Sequence, residues 1–243
     1  MSNTMPDAPA PDRPARTSPV RDDLAYMLPM GTFLVLIMAG GYLGTETDAG
    51  NTAYPWAYAA RAVIVAVMLW VFWPAYTRIR WDYWWLGLIV GVVGIFQWVG
   101  MQLWLQNNFE VFRPTGVAFN PDAFFKDDVS RWLFIGVRIF GAVLVVPVME
   151  ELFWRDFAWR SVIAPNDFKL AGVGEWDWKA FVVVPVIFSF VHLNWLLTSI
   201  VWAFMVGGLL AYTRSLGACI VAHATTNLLL AAYVLRTKQW FFW

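Results

Sequence analysis

Residues 179–212 read KAFVVVPVIFSFVHLNWLLTSIVWAFMVGGLLAY, and after Lys179 the run carries no Asp, Glu, Lys or Arg. A helix that crosses the hydrocarbon core of a bilayer takes roughly 20 mostly apolar residues. This run is too long for one perpendicular crossing, and it divides near the polar residues His192 and Asn194. The composition of the whole chain points the same way. Of its 243 residues 60% are hydrophobic and 14% charged, with 17 Trp and 19 Phe. An average soluble domain is roughly half apolar and about a quarter charged. Lipid is the solvent that suits such a chain.

Working outward from that run, further apolar stretches cover residues 25–44, 55–76, 83–105, 131–149 and 217–235. With the two halves of the opening stretch they predict an all-α fold, a polytopic transmembrane helical bundle of about seven spans (six to eight). Residues 1–24 are rich in Pro, Asp and Arg and lack the apolar core of a cleaved signal peptide, so they read as a disordered aqueous tail. Residues 25–243 form the transmembrane domain. The closing RTKQWFFW resembles an interfacial aromatic anchor. The formal net charge is zero, which leaves no electrostatic case for a nucleic-acid partner. The single Cys219 cannot form an internal disulfide and reads as a small buried hydrophobe. No internal repeat is visible, which weakens a transporter reading.

Loop charges suggest an orientation. Arg78 and Arg80 lie in a short connector, and the loop TETDAGN on the other side is acidic. The positive-inside rule then places the N-terminal tail, the Arg78 connector, the loop with Arg155, Arg160 and Lys169, and Arg214 in the cytoplasm. Arg236 and Lys238 do not fit this scheme.

An ionisable residue within a span is costly and marks a candidate site. Arg61 and Arg138 each have a long arm able to reach an interface, so a structural role is expected of both. Gln97 and Gln102 read as hydrogen-bonding glue between helices. The group at the end of the fourth apolar stretch is different. Glu151 and Arg155 stand four apart and pair on one helical face, while Glu150 points about 100° away. Pro147 just before them is expected to loosen or kink the helix. The chain has two histidines, and both fall in apolar segments. Phe188 precedes His192 by four and Asn227 follows His223 by four, so each pair shares a helical face. A carboxylate, two imidazoles and an amide suffice for water activation and oxyanion stabilisation.

These residues resemble the CAAX protease and bacteriocin-processing family of intramembrane proteases, the group of the prenyl-protein endopeptidases. The stretch Glu150-Glu151-Leu152-Phe153-Trp154-Arg155 is similar to that family's E-E-x-x-x-R. Phe188-Ser189-Phe190-Val191-His192 is similar to F-x-x-x-H, and His223-Ala224-Thr225-Thr226-Asn227 to H-x-x-x-N. The resemblance covers about residues 146–230. Trp154 before the arginine resembles the branch of CAAX prenyl protease-related proteins, associated in bacteria with exosortase and exopolysaccharide gene neighbourhoods.

The resemblance implies an endopeptidase acting on a membrane-associated protein or peptide in the bacterial inner membrane, without implying that the substrate is prenylated. It implies that Glu150 and His192 activate a water and that His223 and Asn227 stabilise the oxyanion. Arg155 would hold Glu151 or the helix end in place, and Phe188 would orient His192. No cofactor is expected. A divalent metal such as zinc is the alternative, because Glu and His are also zinc ligands, but H-E-x-x-H is absent and Asn is a poor ligand. The competing functional readings are a non-catalytic membrane partner of an envelope or exopolysaccharide assembly system, and a proton relay through Glu150 and the histidines.

Overall fold

The computed structural model describes residues 19–42, 53–114 and 118–243. It is 83% helical, with no strand among the described residues. Seven apolar helices carry the fold: α1 (Pro19–Tyr42), α2 (Tyr54–Phe72), α3 (Trp84–Asn108), α4 (Asp128–Ile163), α5 (Trp178–Phe190), α6 (Leu196–Thr213) and α7 (Leu216–Thr237). Six of these regions are long and apolar enough to cross a membrane, and α5 is the shorter one. The expected polytopic bundle is therefore observed. The expected tail falls partly on α1, which begins at Pro19. Residues 1–18 and the TETDAGN loop lie outside the described residues.

The packing suits a bilayer. Large apolar side chains such as Trp56, Trp70, Phe96 and Leu133 are exposed on the outer surface. The interior between α4, α6 and α7 is filled by Met149, Leu152, Trp159, Val206, Leu210, Ala218, Cys219 and Ala222. Lipid tails are as apolar as leucine, so helices associate through close packing and interhelical hydrogen bonds. Both devices join α3 to its neighbours. Gly87, Gly91 and Gly94 press α3 against α7. A Cβ at these positions would come within 2.3 Å of the Ala218 carbonyl oxygen, 2.6 Å of that of Ala222 and 2.6 Å of Thr226 Oγ1. Thr226 Oγ1 also donates to the Gly91 carbonyl at 3.0 Å. Toward α6, Gln97 Nε2 donates to the Thr198 carbonyl at 3.0 Å, and Thr198 Oγ1 to Gln102 Oε1 at 2.7 Å. The two glutamines thus act as the expected glue.

One end of the bundle gathers the basic connectors. Arg160 Nη1 donates to Thr77 Oγ1 at 2.9 Å, Lys169 pairs with Asp22 at 2.7 Å, and Ser215 Oγ donates to the Arg80 carbonyl at 2.9 Å. At the opposite end Lys238 pairs with Asp122 at 2.6 Å, and Asp122 also meets Arg131 at 3.1 Å. The lysine that disobeyed the charge rule is thereby matched with an acid. Arg61 and Arg138 do not reach for an interface. Both are buried against ring faces, Arg61 over Phe33 and Tyr58 at 5.3 and 5.1 Å, Arg138 over Tyr58 and Trp243 at 5.2 and 4.8 Å. Such contacts stabilise a desolvated guanidinium.

The largest departure from expectation is α4. The fourth stretch was expected to end near Met149, yet the helix runs unbroken to Ile163, 36 residues in all. Two ion pairs spaced four apart explain this. Arg155 meets Glu151 at 3.2 Å, and Arg160 meets Asp156, all four side chains being buried. Each charge is neutralised within the helix, so the polar residues continue it rather than end it. Glu150 and Glu151 consequently lie in the interior of a helix. The helix is not regular: Gly141–Val145 and Leu152–Ala158 are π-helical turns that flank the glutamates. Such turns are frequent at functional sites.

Candidate active site

Three helices bring the candidate residues together. α4 supplies Glu150, Glu151 and Arg155; α5 supplies Phe188, with His192 two residues past its end; α7 supplies His223 and Asn227. Glu151 is the hub. Its Oε1 lies 2.8 Å from His223 Nδ1 and 3.3 Å from Arg155 Nη1, and its Oε2 lies 3.2 Å from Arg155 Nε. Glu151 is 0% exposed, Arg155 2% and His223 6%. With a carboxylate as partner, Nδ1 of His223 carries the hydrogen and Nε2 is directed away from the glutamate.

Arg155 links this hub to the next. Its guanidinium lies over the rings of Phe188 at 5.0 Å and Trp202 at 5.3 Å. Phe188 stacks on Trp202 at 5.6 Å and on His192 at 4.4 Å. Trp202 in turn stands edge-on to His223 at 4.7 Å. One aromatic layer therefore supports both imidazoles and the arginine. Phe188 packs against His192, as its spacing predicts.

His192 lies just past the end of α5, which has 13 residues and spans about 20 Å against a hydrocarbon thickness of about 30 Å. Asp177 caps its start by accepting from the Ala180 N–H at 2.9 Å. At its other end the last turn tightens, with Val191 N–H donating to the Phe188 carbonyl at 3.3 Å and His192 N–H to Ser189 at 3.0 Å. The His192 ring completes the cap through Nδ1, 3.0 Å from the same Phe188 carbonyl. A carbonyl only accepts, so Nδ1 bears the hydrogen and Nε2 keeps a lone pair. His192 is partly exposed, unlike His223.

Glu150 stands apart. It is 4% exposed, and its Oε2 is buried without a hydrogen-bond partner. Oε2 of Glu151 likewise lacks a hydrogen-bond partner, but it lies 3.2 Å from the Arg155 guanidinium, whereas among the described residues no ion pair reaches Glu150. Asn227 lies one turn beyond His223, where its Nδ2 donates to the Ala142 carbonyl at 2.7 Å. The structure thus joins Glu151, Arg155, Phe188, His192 and His223 through direct contacts and ties Asn227 to the backbone of α4.

Several contributors escaped the sequence reading. Trp202 lies in an apolar run with nothing to distinguish it from the other tryptophans, and the Ala142 carbonyl has no side-chain signature at all. The glycine seam of α3 was legible in principle, since Gly87 and Gly91 form the small-xxx-small spacing of close helix contacts.

Residues 132–229 match the family model described as type II CAAX prenyl endopeptidase, Rce1-like. The matched segment contains all three motifs and every residue placed above from α4, α5 and α7. No curated protein and no solved structure matches the chain.

Proposed function

From residues 132–229 being Rce1-like, a segment of a protease family set in a multi-pass membrane protein, we propose that this chain is a glutamate-type intramembrane endopeptidase. Glu150 takes a proton from a water, with His192 Nε2 as the second acceptor that orients it. The water oxygen attacks a peptide carbonyl carbon. The oxyanion is held by a hydrogen on His223 Nε2 and by the Asn227 amide. The C–N bond then breaks, and the proton gathered by Glu150 passes to the leaving amine. Glu151 balances charge on His223, and Arg155 fixes Glu151.

The observation that carries this reading is the contrast between the two adjacent carboxylates. Oε2 of each is buried without a hydrogen-bond partner, but Glu151 is compensated by the charge of Arg155 and by His223, while among the described residues no ion pair reaches Glu150, a costly arrangement for a carboxylate. Two further features support it. Each imidazole has its Nδ1 committed to an acceptor, which leaves Nε2 for chemistry. The basic connectors cluster at one end of the bundle, as the positive-inside rule asks of a cytoplasmic face.

Hydrolysis without a resident metal is favoured by the donor set. Zinc takes four ligands at close quarters. Among the described residues no three His, Cys, Asp or Glu side chains are grouped to hold one, and the Arg155 guanidinium already lies against Glu151. The substrate class is a membrane-associated protein or peptide, and the Rce1-like match makes a prenylated C-terminal peptide the first to try.

The test is cleavage by the full chain in proteoliposomes, using an internally quenched peptide with an S-prenylated cysteine near its C-terminus. Glu150→Ala should lose nearly all activity. Asn227→Ala should retain a trace, about 10²–10³-fold below wild type. Wild-type rates in both variants would overturn the assignment. A Glu150→Gln chain that fails to accumulate any uncleaved client in membranes would favour a non-catalytic partner instead.

A further inference from the structure

The turn that precedes the two glutamates has one carbonyl too many. In an α-helix the carbonyl of residue i accepts from the N–H of i+4, and in a π-turn from that of i+5. Gly141–Val145 is π-helical, and the Val146 N–H donates to the Gly141 carbonyl. The carbonyl of Ala142 then needs its donor from residue 147. That residue is Pro147, which has no N–H. At membrane depth an unmatched carbonyl must find a donor within the protein. Asn227 of α7 supplies it, with Nδ2 at 2.7 Å. A side-chain amide has two N–H groups in one plane, so fixing one sets the direction of the other.

We propose that Pro147 is a positioning residue for the hydrolysis described above. By withholding a backbone donor it reserves the Ala142 carbonyl for Asn227, and the second N–H of that amide is thereby aimed at the oxyanion. The inference rests on the reading of Asn227 as an oxyanion donor. Replacing Pro147 by Ala restores the missing N–H. The Ala142 carbonyl is then satisfied within α4, and the amide of Asn227 is released from its anchor. Alanine favours the helix interior over proline, so this variant is expected to fold at least as well as wild type while working less well.

The experiment has two arms, both on the full chain in lipid nanodiscs. The first needs no substrate: the Ala142 carbonyl is labelled with ¹³C and ¹⁸O and its isotope-edited amide-I band is recorded. Asn227→Ala should move the band to higher wavenumber in the Pro147 protein and leave it nearly unmoved in Pro147→Ala, where the backbone donor has taken over. A band that ignores Asn227→Ala in both backgrounds overturns the proposal. The second arm is the prenyl-peptide assay. Pro147→Ala should lower kcat about tenfold, well short of the 10²–10³-fold loss of a whole oxyanion donor, with KM unchanged. In an Asn227→Ala background it should cost nothing further. A wild-type kcat for Pro147→Ala, or the same loss in both backgrounds, overturns the positioning role. Failure of the wild-type chain to cleave, with the infrared result as expected, would instead refute the protease reading and the positioning role with it.

Discussion

Arg155 is the counter-ion of a fully buried carboxylate. It is 2% exposed, lies 3.2 Å from a carboxylate that is 0% exposed, and is covered by the rings of Phe188 and Trp202. Arg155→Ala strips Glu151 of its principal counter-ion inside a low-dielectric interior. Breaking one half of a buried pair costs about 3–5 kcal/mol. Each lost contact with a ring face adds about 0.5–2 kcal/mol in a desolvated site. His223 stays 2.8 Å from Glu151 and offsets part of the charge. The expected loss is therefore near the lower end of that sum, about 4 kcal/mol. Reversible unfolding in mixed micelles by graded SDS, followed by tryptophan fluorescence, measures it. A companion chain with Glu151→Gln and Arg155→Met removes both charges at similar volume. It should be more stable than Arg155→Ala, because no uncompensated charge is left behind. Should Arg155→Ala fall within about 1 kcal/mol of wild type, the range of an exposed pair, the buried-hub account is wrong. It is equally wrong if the double variant is the less stable of the two.

The glycine seam gives a position-specific contrast. Gly91→Ala would drive a Cβ to 2.6 Å from the Ala222 carbonyl, and should cost about 1–3 kcal/mol in the same unfolding assay. Gly100→Ala on the same helix meets nothing within 4 Å and should be neutral or stabilising by up to about 1 kcal/mol. A pH effect is expected at the start of α4. Asp127 lies just outside the span and accepts from the Ser130 N–H at 2.8 Å, a bond that holds its carboxyl below the usual carboxylate range. A group whose pKa is depressed on folding stabilises above its unfolded pKa and loses that contribution as pH falls through the folded one. The melting temperature should therefore decline more steeply with acid below about pH 4 in wild type than in Asp127→Asn. Parallel acid limbs for the two chains would contradict this.

Reading the sequence succeeded where a residue's meaning is local. The run 179–212 divides at His192, and the pairings of Glu151 with Arg155 and of Phe188 with His192 follow from helical spacing alone. It failed where partners come from elsewhere in the chain. The end of the fourth stretch was misplaced because Asp156 and Arg160 look like loop residues until their mutual pairing, and Tyr26 Oη donating to Asp156 at 2.7 Å, are seen. The contact of His223 with Glu151 joins residues 72 apart, and no spacing rule reaches that far. The two π-turns were invisible as well, for they reflect a mismatch of backbone donors and acceptors that only coordinates reveal.

The contact between α3 and α7 also decides which parts of the protein are stiff. Where two main chains touch through glycine, few rotamers are available to yield, and rocking is blocked by atoms that cannot swing aside. His223 and Asn227 thus ride on a fixed rail. The turn after α5 is the opposite: Phe190, Leu193 and Asn194 are exposed, and its backbone leaves the regular ladder. Such loosely tied segments are where proteins yield first. Compliance around the candidate site is therefore concentrated on the His192 side, opposite a half built not to move.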